Sequence, residues 1–428
     1  MSELEALSVR ELNERLEHLE KTYGRFKEEN LSLDMSRGKP CPEQLELSME
    51  MLDVLSSTSP METENGVDIR NYGQLDGIPE AKKLFAELLG VGPEEILVGG
   101  NSSLSLMHDA VARAMFHGVK GSERPWVQLP NVKFLCPTPG YDRHFGICEL
   151  FNIEMINVEM TPEGPNMDQV ERLVAEDEAI KGIWCVPKYS NPHGITYSDE
   201  VVDRFATMET KANDFRIFWD DAYTVHHLTE QPDQLKNLLA AAKEAGNADR
   251  VFMFASTSKM TFPGAGVAVM AASAENLEFL RKQLAAQTIG SDKINQLRHV
   301  RFFEEVESIE AHMNKHAAVV KPKFDQVLEA FRRNLGGKGI VSWSEPNGGY
   351  FISLDTLKGC AKEVVDMAGE AGVKLTGAGA TFPYGIDPKD RNIRIAPTFP
   401  STTELEKAMN VFCVCVEIAS IKKLLGEK

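Results

Sequence analysis

One lysine in this chain stands where an amine can attack a carbonyl. In VFMFASTSKMTFPGAGVA (residues 251–268) an apolar run ends in hydroxyls, Ser256-Thr257-Ser258, followed by Lys259 and a turn with Pro263, Gly264 and Gly266. An amine held among apolar walls ionises less readily than a free one, which titrates at about 10.4, and so becomes a nucleophile. Four more groups follow apolar runs. After EILV comes GGNSSLSLM, where Asn101, Ser102, Ser103 and Ser105 open a helix whose free N–H groups and hydroxyls suit a phosphate. KFLC leads to PTPGYDRHF, which sets the ring of Tyr141 where it could cover a planar ligand. IWCVP leads to KYSNPHG, whose Asn191-Pro192-x-Gly194 turn aims an amide. FRIFW leads to DDAY, in which Asp220 or Asp221 could keep a heteroaromatic nitrogen protonated while Tyr223 hydrogen-bonds a ring oxygen. Near the N-terminus, Arg37 and Lys39 flank Gly38, where the backbone can approach an anion closely. Taken singly, each of these is also an ordinary cap, loop or packing residue.

The elements that must hold these groups alternate. From about residue 67 to 272, short β-rich runs (95–99, 133–137, 151–160, 180–187, 215–220, 250–256 and 266–272) are separated by helical stretches. This predicts an α/β fold, a mostly parallel sheet with helices on both faces, whose ligands bind beyond the carboxyl ends of the strands. An amphipathic helix is expected over 8–26, with Ser8 and Glu11 at capping-box spacing. From about Asn295 one long helical pattern leads into shorter strands and helices, read as a smaller α+β domain. The expected organisation is an N-terminal helix and arm over 1–55 that joins the small domain, a large domain over 56–294, and an interdomain helix with the small domain over 295–428.

Composition narrows the function. Over 428 residues, 46 basic and 64 acidic side chains leave a formal net charge of −18, which argues against a general grip on nucleic acid. Any bound anion must then be met locally. The seven scattered cysteines contain no C-x-x-C pair, and Cys413 and Cys415 alternate in an apolar run, so packing rather than metal binding is expected. No apolar run approaches the ~20 residues of a membrane span, and a soluble cytoplasmic protein is expected.

NPHG, D-x-A-Y and S-x-S-K, in this order at successive strand ends, resemble the fold-type I pyridoxal-phosphate enzymes, specifically the class I/II aminotransferases. The resemblance runs from RGKP near residue 37 to NIRIAP near 395, and is greatest to a divergent bacterial subgroup of aspartate aminotransferases. It implies that Lys259 forms the internal aldimine with pyridoxal 5′-phosphate and later shuttles the substrate proton. Asp220, the D-x-A-Y aspartate with Tyr223 three places on, would pair with the pyridinium nitrogen; Tyr223 and Asn191 would reach the phenolic oxygen. Tyr141 would stack on the ring, and Ser102, Ser103 and Ser256 would hold the phosphate. Arg394 would clamp the substrate α-carboxylate, with Gly38 closing over it, and Tyr72 would reach the phosphate of a second subunit, which implies a homodimer with shared sites. The arginine this family usually carries eight residues after the lysine is Val267 here, and Lys293 or Arg298 is expected to replace it across the dimer.

The implied reaction is transamination of L-aspartate with 2-oxoglutarate, in which a second cation (Arg37, Lys39 or Lys293) reads the side-chain carboxylate. Alanine or aromatic aminotransferases, a β-lyase or decarboxylase, and a cofactor-binding regulatory domain are the alternatives.

Overall fold

The computed structural model describes residues 3, 4 and 6–427. Its strands, in chain order, are β1 (Leu33–Asp34), β2 (Ile96–Val98), β3 (Lys133–Thr138), β4 (Glu154–Thr161), β5 (Gly164–Pro165), β6 (Ile180–Cys185), β7 (Arg216–Asp220), β8 (Val251–Ser256), β9 (Ala268–Ala271), β10 (Val341–Trp343), β11 (Ile352–Thr356), β12 (Val373–Lys374) and β13 (Asn392–Ile395). Eight of them form one sheet in the order β2-β9-β8-β7-β6-β3-β4-β5. Its centre is parallel, while β9 runs antiparallel to both neighbours and β5 pairs antiparallel with β4. The mostly parallel sheet expected from the alternation is present.

Strand residues alternate between two cores. Ile217, Trp219, Val251 and Met253 pack on one face among the Pro79–Leu89, Met167–Glu176 and Asp199–Thr207 helices. Phe218, Phe252 and Phe254 pack on the other, among the Ser103–His117, Asp142–Leu150 and Ala274–Leu284 helices. A central strand buried on both faces is apolar throughout, which is why these runs show no polar alternation.

A separate core gathers the N-terminal helix, the C-terminal half of the long Val306–Leu335 helix, the antiparallel sheet β10-β11-β13 and the C-terminal helix Thr402–Glu427. The N-terminal helix, Val9–Glu28, has both bonds of the expected Ser8–Glu11 capping box. Its docking partner, the C-terminal helix, could not be read from periodicity. β1 pairs with β12 and so ties the segment just before Gly38 to this body.

The continuous helix expected from Asn295 is two helices, Lys293–Phe303 and Val306–Leu335. Glu304 between them takes a φ of 59°, which an α-helix cannot accommodate. The apolar period carries across the break, so the pattern alone conceals it.

Candidate active site

The cleft lies where β6, β7 and β8 end and the small sheet approaches, with a volume of about 500 Å³. Gly38, Arg37, Ser102, Ser103, Tyr141, Asn191, Asp220, Tyr223, Ser256, Lys259 and Arg394 all line it. Residues up to 357 positions apart are thereby brought together from seven segments of chain, because the ends of parallel strands meet at one edge of the sheet.

Lys259 sits in the turn after β8. That turn is stiff: Thr257 N–H donates to Val267 O, and Thr257 Oγ accepts from Val267 N–H, both at 2.9 Å. Burial pushes the Lys259 ammonium below its ordinary pKa of 10.5, while Asp220 opposes the shift. Its Nζ lies 5.1 Å from the Tyr223 ring centroid and 5.8 Å from that of Tyr350. The amine is therefore held between aromatic walls with its basicity reduced, as a nucleophile requires.

Asp220 is buried at the end of β7. His144 Nε2 donates to its Oδ2 at 3.0 Å, and among the described residues its Oδ1 has no partner. A buried carboxylate oxygen without a donor is costly, and a protonated heteroaromatic nitrogen placed there would satisfy it. His144 is stacked on Trp184 at 4.4 Å and 11°, which fixes the imidazole plane. Asp221 turns to the opposite side, into a separate cavity of about 270 Å³ shared with Lys188 and Thr224. Burial raises its pKa to about 6, against the opposing pull of Lys188.

The Asp142–Leu150 helix supplies more than one of these groups from its first turn. Tyr141 is its N-cap in extended conformation, and His144 follows one turn later on the same side. Burial, then Asp220, pushes the Tyr141 phenol up to about 12, so it stays neutral. His144, Asp142 and Arg143 were not singled out from the sequence. The i, i+3 spacing of His144 from Tyr141 was the available signal.

At the other end of the cleft, Ser102 is the N-cap of the Ser103–His117 helix but makes no capping bond with its side chain, and the first turn carries no acid. Ser256 Oγ donates to Ser258 Oγ at 3.1 Å, which adds Ser258 to the cleft's hydroxyls. Unspent hydroxyls and N–H groups at a helix N-terminus form a phosphate-sized cradle. Val267 does not face it: the side chain is buried in the sheet's opposite core. Neither Lys293 nor Arg298 lines the cleft of its own chain. Arg298 instead donates to Asn295 Oδ1, and Asn295 Nδ2 donates to Ala265 O and Gly266 O at 2.9 Å, which braces the turn after Lys259.

Arg394, on β13, is buried beneath the small-domain side of the cleft. Nη1 donates to Asp142 Oδ1 at 2.9 Å and to Asn191 Oδ1 at 3.3 Å, Nη2 donates to Thr376 Oγ1 at 3.3 Å, and Nε has no partner among the described residues. The Phe351 ring lies 4.8 Å from its guanidinium carbon. Gly38 presses on the same ring: a Cβ there would stand 2.5 Å from Phe351 Cζ. Tyr72 is 79% exposed and outside the cleft of its own chain. Among the described residues there is no metal-binding cluster, and no helix is long and apolar enough to cross a membrane.

A lysine and a buried carboxylate facing each other across a hydroxyl-lined cleft, at the switch edge of a mostly parallel sheet, define an aminotransferase of fold type I. The sequence profile described as aspartate amino-transferase matches residues 7–428, and the chain belongs to that family, whose members depend on pyridoxal phosphate. An aspartate aminotransferase of Corynebacterium glutamicum is 44% identical over 404 residues, covering 94% of this chain and 93% of that protein. A protein of Mycolicibacterium smegmatis is 47% identical over 410 residues, covering 96% of each. The crystal structure of an aspartate transaminase from Corynebacterium glutamicum superposes with a TM-score of 0.96 at 42% identity, covering 99% of each chain.

Proposed function

We propose that this aminotransferase exchanges the amino group between L-aspartate and 2-oxoglutarate by a ping-pong mechanism on pyridoxal phosphate. The observation that carries the dicarboxylate reading is the charge of the cleft. Besides Lys259 and Arg394, it is lined by Arg37, Lys39, Arg143 and Lys374, against only Asp142 and Asp220, in a chain of net charge −18. Such local excess positive charge suits a phosphate together with a substrate bearing two carboxylates. The Corynebacterium glutamicum relative's name, aspartate aminotransferase, points the same way.

When bound, the cofactor supplies an electron sink for the bonding pair of the substrate's α-carbon. The chain's residues do the rest. The unpartnered Asp220 Oδ1 would hold the ring nitrogen's proton, and His144 keeps that carboxylate in place. Tyr141 would cover the ring, and Tyr223 and the amide N–H of Asn191 would hydrogen-bond its phenolic oxygen, because Asn191 Oδ1 is taken by Arg394. Ser102, Ser103, Ser256 and Ser258 would receive the phosphate. Lys259, with its lowered proton affinity, would carry the proton to and from the α-carbon. Arg394 would take the α-carboxylate, leaving Arg37, Lys39, Arg143 or Lys374 for the second one. Lys293 lies outside the cleft of its own chain and would serve in that role only from a second copy of the chain.

The remaining phosphate donors are proposed to come from a second copy of the chain, through Tyr72 and either Lys293 or Arg298. Their segments share one surface: Gly290 packs so closely on Gly73 that a Cβ on it would stand 2.5 Å from Gly73 O. The same reading keeps the protein in the cytoplasm, where its seven buried thiols remain reduced. Aspartate, alanine and phenylalanine, each assayed with 2-oxoglutarate, test the substrate; absence of aspartate turnover refutes it.

A further inference from the structure

We infer that Asp142 is an internal carboxylate latch: it occupies the α-carboxylate receptor, Arg394, until the substrate displaces it. This rests on the reading of Arg394 given above, and goes beyond it in assigning a role to a residue that touches neither the lysine nor its aspartate partner.

Three observations carry the inference. First, Asp142 presents to Arg394 the functional group that a substrate would present, with Oδ1 at 2.9 Å from Nη1. Second, the pairing is incomplete. A guanidinium fork takes a carboxylate through two parallel N–H bonds, whereas Asp142 uses one; Nε is left buried without a partner and Nη2 has only the long 3.3 Å contact to Thr376. An arriving α-carboxylate can take two parallel N–H bonds where Asp142 takes one, so the exchange improves the guanidinium's bonding. Third, Asp142 has somewhere to go. Its side chain is 35% exposed, and as the first residue of the Asp142–Leu150 helix it retains the favourable field of that N-terminus wherever its carboxylate swings. Arg394 is 5% exposed and cannot follow.

Two carboxylates held against one buried guanidinium would repel each other and compete for the same N–H donors. Displacement follows, and it has two consequences. Without substrate, Arg394 stays neutralised and oriented, with the cleft's receptor preformed. With substrate, every α-carboxylate binds more weakly than Arg394 alone would allow, by the same factor whether the ligand has one acid group or two.

The test uses the holoenzyme and two unreactive acids, propionate and succinate, titrated by the change in the bound cofactor's visible absorbance. D142N keeps the shape and removes the charge; D142S is a second neutral variant that also suits a helix N-terminus. Both variants are expected to bind both acids more tightly, by about three- to tenfold, the range for a charge-assisted bond to a partly exposed group. Unchanged or weaker binding in both variants overturns the latch and makes Asp142 a support for Arg394. A crystal structure of the wild-type holoenzyme with succinate gives an answer that does not depend on the variants folding. Asp142 Oδ1 is expected beyond 4 Å from Arg394, and a contact still at hydrogen-bond distance with the acid seated on the guanidinium overturns the proposal. R394A separates this from the underlying reading: if it binds both acids as well as the wild type, Arg394 is not the receptor, and the latch falls with it.

Discussion

Asp220 and Asp221 are consecutive residues whose carboxylates open into different cavities on opposite sides of β7, the first toward Lys259 and the second toward Lys188. A strand sends successive side chains to opposite faces, so Asp220 follows Phe218 while Asp221 follows Trp219. The two neighbouring acids must therefore respond differently to substitution. Asp220→Ala is expected to retain phosphate-anchored cofactor but to lose the large majority of kcat, about 100-fold or more, whereas Asp221→Ala keeps most of it. Steady-state kinetics on both variants check this, and a crippled Asp221→Ala beside an active Asp220→Ala would reverse the assignment.

Lys259→Ala is expected to abolish both the absorbance of the lysine-linked cofactor and nearly all turnover, since Lys259 is the buried cleft lysine that feels the Asp220 carboxylate. Absorption spectra of the purified variant with added cofactor, together with an activity assay, decide it. Persistence of both signals would mean that a different lysine is used.

His144 touches Asp220 through the oxygen that faces away from the free one, so it acts on the site by orienting that carboxylate. His144→Phe should preserve the stack on Trp184 but remove the donor, costing about 10- to 100-fold in kcat, as loss of an orienting partner typically does. A purely structural role would leave the pH dependence of the cofactor's absorbance where it is in the wild type; an orienting role shifts it.

Asp221 also makes a prediction about stability. Its pKa is raised from 3.8 to about 6 by burial, so between those values the folded chain holds more protons than the unfolded one. Stability from this group is then fully present below 3.8 and lost as pH rises through about 6. Asp221→Asn removes the titration. Its unfolding free energy relative to wild type is expected to climb between pH 4 and pH 7, up to a difference of about 2 to 3 kcal/mol. Thermal denaturation across that range would show a pH-independent difference if the carboxylate were ionised throughout.

Gly38→Ala places a methyl group where the Phe351 ring now lies, and that ring backs the Arg394 guanidinium. The expected result is a rise of about tenfold in KM for the amino acid with a smaller change in kcat, because the displaced group binds the carboxylate in ground and transition states alike. An unchanged KM would show that the ring yields without moving Arg394.

The sequence by itself determined the class of the fold and most of the groups in the site. Apolar runs alternating with helical stretches dictate a parallel sheet, and parallel sheets put the residues after each run at one edge, so Asn191, the Asp220-Asp221 pair, Tyr223 and Lys259 are legible as neighbours from the chain alone. Tertiary structure decided what a strand-end position does not encode. Which of two adjacent aspartates faces the cleft depends on which face of β7 receives the Asp142–Leu150 helix. The partnerships of Asp142 with Arg394, and of His144 with Asp220, join residues 252 and 76 positions apart. The break at Glu304 is set by backbone geometry that the apolar period passes straight through. Period and composition report which way a side chain points relative to its own element, while contacts between elements depend on how those elements are packed, and packing is a property of the whole chain.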